Sequence, residues 1–426
     1  MVTRRTFLRS SAALGIAGFA PAAPAAAPPF DPRSWSSVRS QFSLDPRLTN
    51  LATFLLAPHP HQVRVAIARH ARALDRDAKR YLDRQEDRNR ADQRVRNAAS
   101  RYLDANADEI ALTDSTTMGL GLLYGGLRLE EDDEVITTTH DFYSTHESLR
   151  LRALRTGAEV RKVRLYQNAR ATSVDELVSA VRRAVTPKTR VVAVTWVHSS
   201  TGVKLPIRAI ADVLPKRVLL CVDGVHGFGV EDATPRQLGC DFLVSGCHKW
   251  LFGPRGTGII WGRAEAWDAV TPTIPTFDGR AFRPWMEGRA PDLPRSAAMT
   301  PGGFHTFEHR WALAEAFDFR RRIGRGRTAT RTHQLAQRLK NGLAEIKRVR
   351  VVTPQSAALS AGIVCFEMDG QDPFDLVERL YARHRIVASV TPYANRYVRL
   401  GPSILNTPDE VDRVVRAVAS TRTRLD

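Results

Sequence analysis

Two stretches decide the fold of this chain: VLLCVDGVHG at residues 218–227 and DFLVSGCHKW at residues 241–250. Each contains a short apolar run of the kind that forms a buried strand in a parallel sheet. Asp223 directly follows the first run, and Lys249 comes shortly after the second. The carboxyl ends of parallel strands share one edge of a sheet, and ligands bind at that edge in α/β proteins. The two stretches therefore predict an α/β fold with a functional site at that edge.

Short apolar runs alternate with helical patterns through the middle of the chain, which indicates a largely parallel sheet covered by helices. A helix is predicted at Ile207–Leu214, and residues 63–103 predict about two amphipathic helices. The final third is richer in helix, with strands expected near residues 362–366 and 397–400. The predicted strands of the middle region are Glu134–Thr137, Val191–Thr195, Val218–Val222, Phe242–Val244 and Gly258–Trp261.

The length of 426 residues predicts a large domain with a smaller one beside it. We divide the chain into a leader at 1–27, an N-terminal arm at 28–60, a large domain at 61–305 and a small C-terminal α+β domain at 306–426. The arm is rich in Pro and Ser, which is typical of a wrapping segment.

The leader has the layout of a twin-arginine export signal. Arg4-Arg5 and Phe7 precede a weakly apolar Ala/Gly-rich run over residues 10–20, with small residues up to Ala27. That run is too short for a spanning helix, so no stable membrane insertion is expected. We predict export by the twin-arginine route to the periplasm or the exterior.

Charge and cysteine content exclude several other functions. The net charge of +18 comes mostly from dispersed arginines, without the interleaved aromatic residues of an RNA motif, so no nucleic-acid partner is expected. The densest run, 320–327, is interpreted as a solvated helix face. The four cysteines show no metal spacing and are expected to be buried thiols. His305 and His309 form an H-x-x-E-H pattern, which we discount as a chance match, and no metal site is predicted.

Asp223 and Lys249 together fit the chemistry of pyridoxal 5′-phosphate (PLP). Taken alone, Asp223 is an ordinary helix cap and Lys249 an ordinary surface charge. Lys249, however, is flanked by Cys247 and Trp250, and an amine needs such desolvation to lose its proton and attack a carbonyl. The lysine would hold the cofactor as a Schiff base, and the aspartate would keep the pyridine nitrogen protonated.

These segments resemble the class V aminotransferase family of fold-type I PLP enzymes, and the likeness covers essentially the whole chain after the leader. It is carried by residues 223–227, 245–249 and 253–258. The sequences at residues 48–52 and 138–141 are most similar to the isopenicillin N epimerase-like branch. The resemblance implies a large domain with a mainly parallel sheet of the seven-stranded type, a small domain, an amino-acid substrate, and a homodimer with shared active sites.

The resemblance also implies roles for individual residues. Lys249, Asp223 and His226 would be catalytic, with His226 beside the phenolic oxygen of the cofactor, and Arg399 would clamp the substrate α-carboxylate. Phe142 would stack on the pyridine ring, with Tyr143 as the alternative. Ser199 lies where many relatives carry Asn, and Asn50 is a further substrate-binding candidate. The phosphate contacts would come from Thr116, Thr117, Ser245 and His248, with Thr306 reaching the phosphate of the neighbouring subunit.

The reaction stays open at this point. Cysteine desulfurases of the family use a loop cysteine, and residues 388–393, before Arg399, contain none. The working hypothesis is removal of the substrate Cα proton by Lys249, leading to transamination or epimerisation. The alternatives are a side-chain lyase of the kynureninase or C–S lyase kind, a PLP-fold binding protein without catalysis, and a zinc hydrolase.

Overall fold

The computed structural model describes residues 29–84 and 88–421, so the predicted export signal at 1–27 lies outside the described residues. Within these ranges the strands are β1 (Thr49–Asn50), β2 (Ile110–Thr113), β3 (Glu134–Thr138), β4 (Glu159–Val163), β5 (Thr189–Thr195), β6 (Leu219–Asp223), β7 (Phe242–Gly246), β8 (Gly258–Gly262), β9 (Val349–Val351), β10 (Val364–Met368), β11 (Ile386–Val387), β12 (Ser389–Val390) and β13 (Val398–Leu400).

The helices of the same ranges flank the sheets. They are α1 (Trp35–Ser40), α2 (His61–Arg84), α3 (Arg88–Leu103), α4 (Thr116–Gly126), α5 (Tyr143–Thr156), α6 (Val174–Ala184), α7 (Ile207–Val213), α8 (Pro235–Leu238), α9 (Gly279–Met286), α10 (Arg295–Ala298), α11 (Phe307–Ile323), α12 (Arg325–Ala344), α13 (Pro373–His384) and α14 (Pro408–Ala419).

The large domain is built on a seven-stranded sheet with the strand order β2-β8-β7-β6-β5-β3-β4. The neighbouring strands from β7 through β4 pair in parallel, while β8 runs antiparallel to both β7 and β2. The middle strands consist of buried apolar side chains, as the runs of Val and Leu predict for a sheet covered on both faces. The predicted fold-type I architecture is confirmed, and the ends of β5, β6 and β7 lie side by side.

The small domain contains a four-stranded antiparallel sheet with the order β12-β13-β10-β9. Its core includes Leu335 and Leu339 of α12 and Val411 and Val414 of α14. Helix α11, the first element after residue 305, instead packs Leu313 and Phe317 into the core of the large domain. The division of the chain at residue 305 stays a prediction.

The N-terminal arm joins the two domains. Strand β1 pairs in parallel with β11 of the small domain. Val38 and Phe42 pack in one cluster with Phe252 of the large domain and Phe319 of α11. In the described ranges, none of the helices is both long enough and apolar enough to cross a membrane.

The interpretation of residues 320–327 as a solvated face is wrong for Arg320. This side chain is only 1% exposed, donates to the Gly229 carbonyl oxygen, and lies 5.6 Å from the ring centroid of Phe252. Helix α11 packs against α2 and α3, so one side of its last turn, with Arg320 and Ile323, faces inward while Arg321 and Arg322 stay exposed. Arginine density in the sequence does not reveal which single member of the run points to the core.

The junction between the domains depends on the absence of a side chain at Gly202. Its φ is +75°, and an added Cβ would lie 2.5 Å from Thr353 Oγ1 and 2.6 Å from the Ile363 carbonyl oxygen. Gly288 has a similar φ of +67°, but a Cβ there would meet nothing within 4 Å. An alanine at either position would therefore carry the strain of a positive φ, but only at position 202 would its Cβ also clash with neighbouring atoms.

We predict that Gly202→Ala destabilises the cofactor-free protein more than Gly288→Ala does, by about 1–3 kcal/mol, because only the first adds overpacking to the strain of a positive φ. Thermal unfolding of both variants measures the difference. Equal losses of stability in the two variants would contradict the close approach at Gly202.

Candidate active site

Asp223 is the buried carboxylate of the site. It ends β6 and is 1% exposed, and its Oδ1 accepts a hydrogen bond of 3.0 Å from the Val225 backbone N–H. Its Oδ2 has no hydrogen-bond partner within the part of the chain that the structure describes. Burial raises the pKa of Asp223 to about 7, against the opposing effects of the Val225 N–H and of Lys249. A carboxylate held this way is ready to accept a hydrogen bond from a ligand cation.

Lys249 follows β7, the strand beside β6, and its Nζ makes no hydrogen bond or ion pair to a described residue. Burial lowers the pKa of Lys249 to about 8; nearby Asp223 opposes this shift, and Arg399 adds to it. A substantial share of the amine is therefore neutral near physiological pH, as nucleophilic attack on a carbonyl requires. Asp223 and Lys249 are close enough to affect each other's pKa, and their joint role in holding a cofactor stays a prediction.

His226 has a defined tautomer. Its Nδ1 lies 3.2 Å from the Trp250 indole Nε1, and an indole N–H can only donate, so Nδ1 accepts. Burial first, then Lys249 and Arg399, hold the pKa of His226 well below its usual value, so the ring is neutral. The proton of the neutral ring therefore sits on Nε2. His226 can donate this proton to an oxygen of a ligand, the role expected beside the phenolic oxygen.

The predicted phosphate end lies where α4 begins next to the turn after β7. The buried Thr116 Oγ1 accepts from the Gly246 N–H at 2.7 Å, and an added Cβ on Gly246 would lie 3.0 Å from that oxygen and 2.9 Å from the His248 ring. His248 Nδ1 is buried and has no hydrogen-bond partner among the residues that the structure describes. Thr117 is exposed at the first turn, where backbone N–H groups have no partner within the helix. A phosphate fits this arrangement.

Ser245 is placed at the same end, but its hydroxyl donates to the Gly246 carbonyl oxygen at 3.0 Å. Its predicted phosphate contact requires that hydroxyl to turn, and it stays a prediction.

Phe142 is positioned by the residue before it. The Asp141 carboxylate accepts from the Thr138 N–H at 2.6 Å and from the Thr195 N–H at 2.7 Å, and so ties the ends of β3 and β5 together. Phe142 then caps α5 and lies edge-on to the Tyr393 ring at 6.0 Å between centroids. Tyr143, the alternative, is 70% exposed, so the geometry favours Phe142 as the stacking ring.

Arg399 reaches the site from the small domain and is 3% exposed. Its Nη1 donates to the Ser199 carbonyl oxygen at 3.2 Å and its Nε to Ser389 Oγ at 3.1 Å. The guanidinium also lies 4.8 Å from the ring centroid of Phe54. Its Nη2 has no partner in the described ranges, so one arm of the fork is available to a carboxylate.

Two residues of this region were missed by sequence reasoning. Phe54 supports both Arg399 and His226, since its ring lies edge-on to the imidazole at 6.2 Å between centroids. The Tyr393 hydroxyl lies 2.7 Å from Ser199 Oγ. The only available signal for Tyr393 was its place in the segment where desulfurases carry their cysteine.

Asn50 and Thr306 are not brought into this cluster. Asn50 Oδ1 accepts from the Ala52 N–H at 2.8 Å, and the residue lines a separate cleft of about 260 Å³ with Arg255. Thr306 is exposed at the start of α11. Their predicted roles in substrate binding and in the neighbouring subunit stay predictions.

The H-x-x-E-H pattern does not form a metal site in the described residues. His305 contacts Asp114, whereas His309 contacts the Arg255 carbonyl oxygen. No group of three or more potential metal ligands occurs within the described ranges. The four cysteines are buried free thiols, as expected.

A cleft of about 710 Å³ opens between the two domains beside Ser199. Its lining includes His140, Tyr166, Ser200 and Tyr393 at the carboxyl ends of the strands. Arg170 and Arg350 also line it, and the Arg350 guanidinium is paired with Glu367. The cleft therefore reaches Tyr393, which bonds to Ser199, at the edge of the sheet where ligands bind in open α/β proteins.

The residues present fit PLP. Asp223 Oδ2 is open to a pyridine N–H, His226 Nε2 can donate to a phenolic oxygen, and Lys249 Nζ is unpaired. The groups around Thr116 and His248 suit a dianion. The orphaned His248 Nδ1 and the tight cradle at Gly246 are features that a bound phosphate would explain.

Comparisons with known proteins agree on the family to which this chain is similar. The family model described as aminotransferase class-V matches residues 57–414. Isopenicillin N epimerases of Streptomyces clavuligerus and Amycolatopsis lactamdurans are 27% and 28% identical over 395 and 400 residues, which is 90% of this chain and 97% and 98% of theirs. A probable cysteine desulfurase of Halalkalibacterium halodurans is 25% identical over 347 residues, covering 77% of this chain and 81% of that protein.

Among solved structures, the C-DES protein, in a lysine-to-alanine variant with glycine covalently linked to its PLP cofactor, superposes with a TM-score of 0.78. The match covers 90% of this chain and 99% of that chain at 19% sequence identity. At this identity the likeness supports the fold alone.

The raised pKa of Asp223 makes a prediction for stability. A carboxyl group whose folded pKa lies above its unfolded value of 3.8 contributes stability at low pH, and this contribution is lost as pH rises to about 7. Asp223→Asn removes this loss and keeps an acceptor for Val225. We expect the cofactor-free variant to gain stability relative to wild type between pH 4 and 7.5, by at most roughly 4 kcal/mol.

Unfolding of both proteins across this pH range gives the measurement. Other titrating groups are common to both proteins and cancel in the difference. A difference in stability that does not change with pH would contradict the buried, neutral carboxyl.

Proposed function

Starting from the fact that this chain belongs to the aminotransferase class-V family of PLP-dependent enzymes, we propose that it epimerises an α-amino acid by moving the proton on its Cα. The observation that carries this proposal is the buried Lys249 amine, which is unpaired among the described residues and whose pKa is lowered by burial near Asp223 and Arg399. The two isopenicillin N epimerases with which it shares 27% and 28% identity support the same reaction.

Different residues of the chain bind the substrate and transfer its proton. Arg399 holds the substrate α-carboxylate through the free arm of its guanidinium, which orients Cα toward Lys249. Lys249 Nζ takes the Cα proton. PLP, when bound, supplies an electron sink for the negative charge that develops at Cα. Asp223 stabilises the protonated pyridine, and His226 Nε2 donates to the phenolic oxygen.

A desulfurase-type reaction has less support. The described segment 388–398 precedes and enters β13 and contains no cysteine. Cys365 is fully buried in β10, and burial raises the pKa of its thiol, which opposes the thiolate that nucleophilic attack requires. Transamination shares the first proton transfer with epimerisation and is distinguished by its oxo-acid product.

We also propose that the protein works as a homodimer after export. Helix α9 and its surroundings expose large apolar side chains, among them Phe282, Trp285 and Phe304, the last 83% exposed. Apolar surface on this scale favours a partner, and a second copy matches the family pattern. Sedimentation of the mature protein tests the dimer, and fractionation after replacing Arg4 and Arg5 with Lys tests the export route.

Replacing the lysine tests the proposed function directly. We predict that wild-type protein incubated with PLP shows an absorbance band near roughly 410–430 nm and interconverts the two enantiomers of at least one amino acid. Lys249→Ala should lose the Schiff-base band and at least about 10²-fold of the rate, because the proton acceptor is gone. Lys340→Ala serves only as a control for the band, since that lysine bonds to Ser360 and the carbonyl of Pro354.

Arg399→Lys provides a second arm of the same test. A lysine keeps the charge but loses the fork, so we expect weaker amino-acid binding with the absorbance band retained. A wild-type protein that stays colourless with PLP, or a Lys249→Ala variant of full activity, would overturn the proposal.

A further inference from the structure

We propose that the hydroxyl of Tyr393 is the second proton-transfer group of this site, donating a proton to the substrate Cα on the side opposite Lys249. The inference rests on the proposed function and deepens it, because removing and returning the proton on the same side would leave the configuration unchanged. Inversion needs a donor on the other side.

Tyr393 is held in place by the loop that carries it. This loop joins β12 to β13, and Thr391 closes it at both ends: its N–H donates to the Tyr397 carbonyl oxygen at 3.0 Å. Thr391 Oγ1 accepts from the Tyr397 N–H at 2.9 Å and donates to the Asn395 carbonyl oxygen at 3.1 Å. The tyrosine therefore enters the site from a closed turn of the small domain.

The strand order places Tyr393 and Lys249 on opposite sides of Asp223. The sheet runs β7-β6-β5, with Lys249 following β7, Asp223 ending β6 and Ser199 following β5. The Tyr393 hydroxyl lies 2.7 Å from Ser199 Oγ, so it belongs to the β5 side. Its ring also contacts Phe142, the candidate stacking ring, with 6.0 Å between centroids.

Arg399 contacts the same residue, Ser199, as Tyr393 does. Its Nη1 donates to the Ser199 carbonyl oxygen while Tyr393 bonds to the Ser199 hydroxyl. A substrate carboxylate bound by Arg399 would therefore bring Cα close to the tyrosine. Such proximity is the main requirement for a proton-transfer group.

The surroundings of Tyr393 and Lys249 suit the tyrosine to donate a proton and the lysine to accept one. Burial raises the pKa of Tyr393 above its usual value, against the opposing effects of Ser199 and Arg399. The phenol is therefore protonated at neutral pH and serves as a donor, whereas the lowered pKa of Lys249 makes its amine an acceptor. The Ser199 hydroxyl can stabilise the tyrosine oxygen after it has given up its proton.

The step balances without an oxidant or reductant. The Cα–H bond breaks, its proton moves to Lys249 Nζ, and the electron pair stays with the substrate. That pair then forms a new bond to the proton of the Tyr393 O–H, on the opposite side of Cα. The tyrosine lines the cleft of about 710 Å³, through which solvent can restore its proton.

The test separates proton removal from inversion. PLP-loaded wild type and Tyr393→Phe are incubated in D₂O with both enantiomers of the chiral proteinogenic amino acids. NMR follows loss of the α-proton, and chiral chromatography follows inversion. We expect Tyr393→Phe to exchange the α-proton of one enantiomer within about threefold of the wild-type rate, while inversion falls by at least about 10²-fold.

Two further variants make the result specific. Tyr381→Phe removes the hydroxyl of an exposed tyrosine on α13 and should change neither rate. Ser199→Ala keeps the tyrosine and removes its hydrogen-bond partner, so inversion should fall by a smaller factor than in Tyr393→Phe. Because each change deletes a single hydroxyl, folding is checked by thermal unfolding of the cofactor-free proteins.

Binding without turnover gives a readout that does not depend on activity. The amino acid with the fastest exchange is titrated into PLP-loaded Lys249→Ala with and without Tyr393→Phe. Affinities within about threefold are expected for a proton donor. A tenfold or larger loss of affinity would make Tyr393 a binding contact instead and overturn the inference.

The remaining outcomes separate this inference from the proposed function. If exchange and inversion fall together in Tyr393→Phe, or if inversion is unchanged, the role of Tyr393 is wrong while proton removal by Lys249 stands. If wild type exchanges the α-proton but yields only oxo acid, the inference fails and transamination takes its place. If wild type exchanges no α-proton, the proposed function itself fails, and the inference with it.

Discussion

The burial of one carboxylate organises this protein. Asp223 ends the central strand of the sheet with almost no exposure, which is unfavourable unless a cation or a proton compensates it. Lys249 is near enough to affect the pKa of Asp223, and Asp223 in turn affects that of Lys249. Asp223 also accepts a hydrogen bond from the Val225 N–H, and Lys249 makes no hydrogen bond or ion pair to a described residue. The two buried groups thus make this edge of the sheet suited to a ligand that carries a hydrogen-bond donor.

The small domain completes this arrangement from the opposite direction. Arg399 and Tyr393 both reach across the domain junction, and both contact Ser199, one through its carbonyl and the other through its hydroxyl. Phe54 of the arm packs beneath Arg399 and against His226. Three separate parts of the chain therefore meet around Ser199 and His226, and a change in domain orientation would move Tyr393 and Arg399 together.

The parts of the fold and of the site that depend on a local sequence pattern could be predicted from the sequence. The apolar runs before Asp223 and Lys249 form adjacent parallel strands because buried strands of Val, Leu and Phe have few other stable arrangements. Phe142 follows a carboxylate that connects two strand ends, and its role as the stacking ring stays a prediction. The positions of residues that depend on contacts distant in sequence could not be predicted. Arg320 is buried because α11 packs on other helices, and Tyr393 faces Ser199 because of how two domains meet. Neither fact is encoded within a few residues of the position concerned.

The pairing of β1 with β11 has a consequence for biosynthesis. Residues 49–50 pair with residues 386–387, so strand β1 cannot form until nearly the whole polypeptide has been synthesised. The large sheet can assemble earlier, since its strands lie between residues 110 and 262. During translation the nascent protein would thus carry a formed sheet edge with Asp223 and Lys249 in place, yet open on the side that Arg399 later covers. A chaperone or a cofactor molecule would meet this half-built site before any substrate could be held in it.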